Sequence, residues 1–151
     1  MIRGFQVVSD KFRKHPNVEI KLPVRSTKYS AGYDFFSPVS VDIPPQAKMI
    51  IMSDVKACMQ ENEVLMLFVR SSIGIKKGLT LANGTGIVDF DYFSNEENDG
   101  NIGIVLFNNT NHVVSIEAGE RVAQGIFMPF LVAYNGNTDN IRVGGVGSTG
   151  K

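Results

Sequence analysis

Asp89 ends a short segment whose residue types suit acid–base work on a flat, polar ligand. From Leu79 the chain reads Leu79-Thr80-Leu81-Ala82-Asn83-Gly84-Thr85-Gly86-Ile87-Val88-Asp89-Phe90-Asp91-Tyr92. The leucines and the Ile87-Val88 pair are β-formers, while Asn83, Gly84 and Gly86 offer positive φ for the connection. A tight hairpin with an acidic, aromatic tip is therefore predicted. A backbone that turns this sharply presents N–H and C=O groups that can read the edge of a flat base. A carboxylate fixed just beyond can take a proton from water. The same residues also suit an ordinary surface hairpin, because Asn-Gly turns are common.

That tip needs a scaffold, and the chain offers many short strands. Residues 18–22, 39–43 and 113–116 alternate apolar and polar; 61–70 and 102–107 are more continuously apolar, as central strands are. Pro44-Pro45 and the polar stretches 108–112 and 117–120 punctuate them. No amphipathic helix of normal length is legible, although 53–60 could form a short one. Many strands without helices predict a sandwich, barrel or jelly roll. Residues 94–99 are polar and acidic, and the last stretch is rich in Gly, Asn and Thr without core periodicity. The predicted division is a β domain over 1–134 and a glycine-rich C-terminal arm over 135–151.

The 151 residues suffice for one core, and 15 basic against 15 acidic residues give no net charge. This balance leaves no electrostatic footprint for a nucleic-acid polymer or an anionic membrane. A small polyanion could still bind through a few arginines and backbone groups. Cys58 is the only cysteine, so an intrachain disulfide is excluded and a buried small hydrophobe is expected there. No run reaches the ~18 apolar residues of a membrane span, and the first residues lack a leader pattern. A soluble, cytoplasmic protein is expected.

Four further segments accompany the Asp89 tip: Ala31-Gly32-Tyr33-Asp34, Arg70-Ser71-Ser72-Ile73-Gly74, Gly119-Glu120-Arg121-Val122-Ala123-Gln124 and Gly144-Gly145-Val146-Gly147-Ser148-Thr149-Gly150. In this order and spacing the five resemble the motifs of the homotrimeric dUTPases, from about Val18 to the C-terminus. The resemblance implies an all-β, distorted jelly-roll (β-clip) subunit in a homotrimer with an exchanged C-terminal arm. It implies hydrolysis of dUTP to dUMP and pyrophosphate with Mg²⁺, which limits uracil incorporation into DNA and supplies dUMP for thymidylate synthesis. Motifs from different subunits would meet at each site.

By the same resemblance, Asp89 is the catalytic base. Tyr92 packs on the deoxyribose and leaves no room for a 2′-hydroxyl, and Asn83 with the backbone through Gly86 reads uracil. Arg70, Ser71, Ser72 and Gln124 meet the phosphates, and Asp34 lies near them and acts on the metal through water. Asp34 could equally be a turn aspartate bonded to its own backbone. Gly147, Ser148 and Thr149 would wrap the terminal phosphates.

The chain departs from the family pattern in several places. Ser72 stands where glycine is usual and Val146 where an aromatic would stack on the base. The arm arginine is displaced by one position, to Arg142, and residues 94–99 are an acidic insertion after Phe93. The glycine-rich ending also fits the start of a P-loop, but the following helix is missing. A dCTP deaminase would need a glutamate on the strand after the hairpin, where Ile104-Val105-Leu106 stand. A non-hydrolytic, nucleotide-responsive binding trimer is the other rival, disfavoured by the presence of Asp89, Tyr92 and Gln124.

Overall fold

Twelve strands carry most of the regular structure in the computed structural model, which describes residues 2–147. They are β1 Gly4–Val7, β2 Val24–Arg25, β3 Tyr33–Phe36, β4 Val41–Ile43, β5 Lys48–Met52 and β6 Val55–Cys58. The second half contributes β7 Glu63–Val69, β8 Leu79–Leu81, β9 Gly86–Val88, β10 Gly103–Asn108, β11 Val114–Ile116 and β12 Arg121–Pro129. Among the described residues the helical pieces are short: 3₁₀ turns at Asp10–Phe12 and Phe90–Tyr92, and a π turn at Ser72–Lys76. None is long and apolar enough to cross a membrane.

The largest sheet runs β2-β3-β12-β7-β9, and a three-stranded sheet runs β5-β10-β8. Two small pairs, β1-β6 and β11-β4, complete the jelly roll. Alternation decides which side chains meet between the layers. Leu65, Leu67, Phe35 and Val122 from the large sheet join Ile51, Ile104, Leu106 and Leu79 from the smaller one in a single core. Tyr33, Phe35 and Phe127 gather around Phe5 with ring centroids 5.3–5.5 Å from it, tying β1 to the large sheet.

Two expected elements differ. The segment 53–60 forms β6 rather than a helix, because Val55 and Ala57 alternate into the core and the strand pairs with β1. Residues 18–22 alternate but join no sheet; Ile20 packs on the core edge. Cys58 is half-buried, with its thiol 3.6 Å from the Gly4 carbonyl oxygen. Beyond β12 the chain runs without strands among the described residues and folds back over the end of β9.

Candidate active site

β8 and β9 are consecutive in sequence, yet they do not pair with each other. β8 joins the smaller sheet through β10, and β9 joins the large one through β7. The expected hairpin is therefore a step between layers. Gly84 alone of the three turn residues has positive φ, at 75°. Gly86 is glycine for a different reason: a Cβ there would lie 2.9 Å from that of Leu67. As the outer strand of its sheet, β9 has a backbone edge without a ladder partner. That edge lines a cavity of about 280 Å³ with Asn83, Asp89, Tyr92 and Val146 at its walls. The cavity is sized for a base and its sugar rather than a whole nucleoside triphosphate.

Asp89 follows β9 directly and is half exposed. Arg142, carried back by the arm, bridges it to Asp91: Nη2 donates to Asp89 at 2.6 Å and Nε to Asp91 at 2.9 Å. The guanidinium carbon also stands 5.6 Å from the centre of the Tyr92 ring. Arg142 is thus nearly buried between two acids and an aromatic. Tyr92 is buried; its hydroxyl donates to the Asn101 carbonyl at 3.1 Å and accepts from Asn98 Nδ2 at 2.9 Å. Burial pushes its phenol above the ordinary value, against the opposing pull of the Asn98 hydrogen bond and the Arg142 charge.

A second cluster gathers around Asp34, on β3. Its buried carboxylate is met by Arg70 Nε at 2.8 Å, by Arg121 Nη1 at 3.4 Å and by the Ser26 hydroxyl. These partners come from other segments, so the alternative of a turn aspartate bonded to its own backbone is corrected. Gln124 lies opposite Asp34 in the β3–β12 ladder. It lies so close to Gly32 that a Cβ there would sit 2.5 Å from Gln124 Oε1. Ser71 is exposed beside Arg70, and Ser72 opens the π turn, in which the Arg70 carbonyl accepts from both Ile73 and Gly74. Two guanidiniums on one carboxylate leave net positive charge, suited to phosphate oxygens. Among the described residues no three His, Cys, Asp or Glu side chains gather as metal ligands.

The two clusters do not meet within one chain. Val88 pairs with Leu65, so Asp89 lies near the start of β7, whereas Arg70 follows its end. The six residue steps from Val64 to Arg70 span about 20 Å of extended strand. Gly147 has φ 76° and lines the small cavity; Ser148 and Thr149 lie outside the described residues. Sequence reasoning missed Arg121, Ser26, Glu97 and Asn98. Arg121 carried a signal, two basic side chains being available to one buried acid; Glu97 depended on a contact distant in sequence, and Ser26 and Asn98 on irregular loop turns without a period.

An edge strand beside a base-sized cavity, an acid at its rim and a separate arginine cluster define a nucleotide-processing site on a jelly roll. The dUTPase family model matches residues 18–150. The chain is 46% identical to the deoxyuridine 5′-triphosphate nucleotidohydrolase of Lactococcus lactis, over 99% of this chain and 98% of that protein. It superposes on the dUTPase of Streptococcus mutans with a TM-score of 0.75 and 43% identity, covering 86% of this chain and 98% of that one. The dUTPase of Staphylococcus aureus phage phi11, described as coordinating a structural Mg(II) ion, shares the fold at 23% identity and a TM-score of 0.69, covering 93% and 99%. The chain belongs to the dUTPase family, enzymes that hydrolyse dUTP to dUMP and pyrophosphate.

Proposed function

We propose that dUTP is cleaved here at sites shared between the subunits of a homotrimer, with Asp89 as base. The separation of Asp89 from Arg70 carries this reading, because a triphosphate cannot span about 20 Å of strand within one chain. A neighbour's Arg70, Ser71 and Ser72 would face the Asp89 cavity and hold the phosphates, and its Gln124 would add an amide contact. Asp34 would keep Arg70 and Arg121 aimed at the phosphates. The connector before the arm supports assembly as well: Leu131 is 99% and Tyr134 93% exposed on their own chain. An arm from a neighbour would find the same acids for Arg142.

Within the cavity, the β9 edge and Asn83 would read uracil, and the Tyr92 ring would exclude a 2′-hydroxyl. Asp89 would orient a water and take its proton as the oxygen attacks the α-phosphorus, with pyrophosphate leaving in line. Arg142 Nη2 occupies an Asp89 carboxylate oxygen at 2.6 Å, where the water would have to be held. Arg142 must therefore release Asp89, and the arriving phosphates are the competing anion. Gly147, Ser148 and Thr149 would then close over those phosphates. Mg²⁺ would neutralise phosphate charge and is suited to bind chiefly through substrate oxygens and water. Asp34, committed to two arginines, fits contact through water better than direct ligation. The enzyme would work in the cytoplasm, bound to neither membrane nor nucleic-acid polymer.

The test is pyrophosphate release from dUTP, dCTP, dTTP and UTP, with and without Mg²⁺. dUTP alone should turn over efficiently, and only with the metal. Comparable turnover of dTTP or UTP would refute the assigned cavity.

A further inference from the structure

The insertion at 94–99 touches both the sugar side of the cavity and the arm, through adjacent residues. Asn98 Nδ2 donates to the Tyr92 hydroxyl at 2.9 Å. The carboxylate of Glu97 accepts the backbone N–H of Gly145. Gly145 lies so close to the loop that a Cβ there would sit 2.8 Å from Asn98 Nδ2 and 3.2 Å from Glu97 Oε2. A side chain here would displace the ends of both loop residues.

The loop is itself braced. Asn95 Oδ1 accepts the N–H groups of Glu97 and Asn98, both at 3.1 Å. Asn95 Nδ2 donates to the Tyr92 carbonyl at 2.8 Å and to Asn98 Oδ1 at 2.7 Å. Asp99 anchors the far end by accepting from the Ser9 N–H at 2.7 Å and pairing with Lys56 at 2.8 Å. Burial opposes the ionisation of Asp99, but these bonds outweigh it and hold the carboxyl below its ordinary value. The Asn98 amide is therefore fixed in place where it meets the phenol.

We propose that the 94–99 loop ties arm closure to sugar selection: Asn98 positions the Tyr92 ring, and Glu97 captures the arm at Gly145. This rests on the reading of Tyr92 as the sugar gate. The Tyr92 hydroxyl already donates to Asn101 and accepts from Asn98. It has no donor left for a ribose 2′-hydroxyl, so a ring held in place rejects ribose by shape and by leaving that hydroxyl unsatisfied. When the arm seats on Glu97, its Gly145 lies beside Asn98, the residue that holds the ring.

The full-length protein tests this with Asn98→Asp, Asn98→Ala, Glu97→Ala and the control Tyr92→Ala. Asn98→Asp keeps the size and the acceptor that Asn95 uses and replaces the donor with a charged carboxylate oxygen, so it remains informative if Asn98→Ala folds poorly. Both Asn98 variants should lower the dUTP-over-UTP ratio of kcat/KM about three- to tenfold, the scale of one lost hydrogen bond. They should also move one phenol titration to higher pH. Glu97→Ala should lower the same ratio and speed hydrogen exchange across residues 141–147. Unchanged phenol titration and ratio in both Asn98 variants, with Tyr92→Ala altering the ratio, would overturn the proposal. So would unchanged arm exchange in Glu97→Ala. A ratio untouched by Tyr92→Ala would instead refute the sugar-gate reading, a failure distinct from loss of the loop's contacts.

Discussion

Replacing Asp89 by asparagine separates its chemical role from its structural one. The side chain keeps its shape, so the end of β9 is undisturbed. The Arg142 ion pair is weakened, but Asp89 is half exposed and Arg142 retains Asp91 at 2.9 Å and the Gly145 carbonyl at 3.3 Å. A pair with one partner half open to water contributes about 1 kcal/mol. In a chain of this length that moves Tm by roughly 2–4 °C at most. Loss of a general base costs far more, at least ~100-fold in kcat. Saturating pyrophosphate-release assays should therefore show that loss in Asp89→Asn. Calorimetry with a non-hydrolysable dUTP analogue should show binding at least as tight as in the unsubstituted protein, because a negative charge near the phosphates is gone. Near-normal turnover would mean that Asp89 is not the base. A large drop in Tm together with lost binding would mean that its role is structural.

Gly32→Ala forces a methyl against Gln124, whose Cβ would lie 3.2 Å away, so KM for dUTP should rise several-fold with a stability cost of ~1–3 kcal/mol. An unchanged KM would remove Gln124 from the phosphate site. Val146, 91% exposed at the cavity rim, lacks a stacking face. Val146→Phe should tighten binding of the dUTP analogue roughly three- to tenfold, within the range that base stacking allows; unchanged affinity would place residue 146 away from the base. Deleting everything after Gly136 removes Arg142 and the arm glycines but little core. Sedimentation should still report a trimer while dUTP hydrolysis falls at least ~10-fold, the scale of lost phosphate contacts. Full activity would mean that another segment closes the site.

What was legible in the sequence followed local pattern. The alternation in 41–43 and 114–116 and the apolar run of β7 were predicted and formed, because each side chain's layer follows from a period of two. Alternation failed at 18–22, where no partner edge reaches the chain, and helix propensity failed at 53–60, where pairing with β1 overrode it. The site showed the same division. Asp89, Tyr92 and Asn83 sit together in sequence, and the structure brings them to one cavity. The Arg121–Asp34 pair and the return of Arg142 join residues from separate segments, and the Asn98 contact with Tyr92 depends on an irregular loop turn. No local spacing encodes them.

Subunit mixing tests the shared site most directly. Asp89→Asn and Arg70→Ala proteins, each inactive alone, are unfolded together in equal amounts and refolded. If each site takes Asp89 from one chain and Arg70 from its neighbour, random assembly in a closed ring gives about one intact site in four. The mixture should then recover about a quarter of the unsubstituted activity, by the same count. Activity no greater than that of either parent, in mixed trimers confirmed by mass spectrometry, would place Asp89 and Arg70 of one site on a single chain and contradict the account.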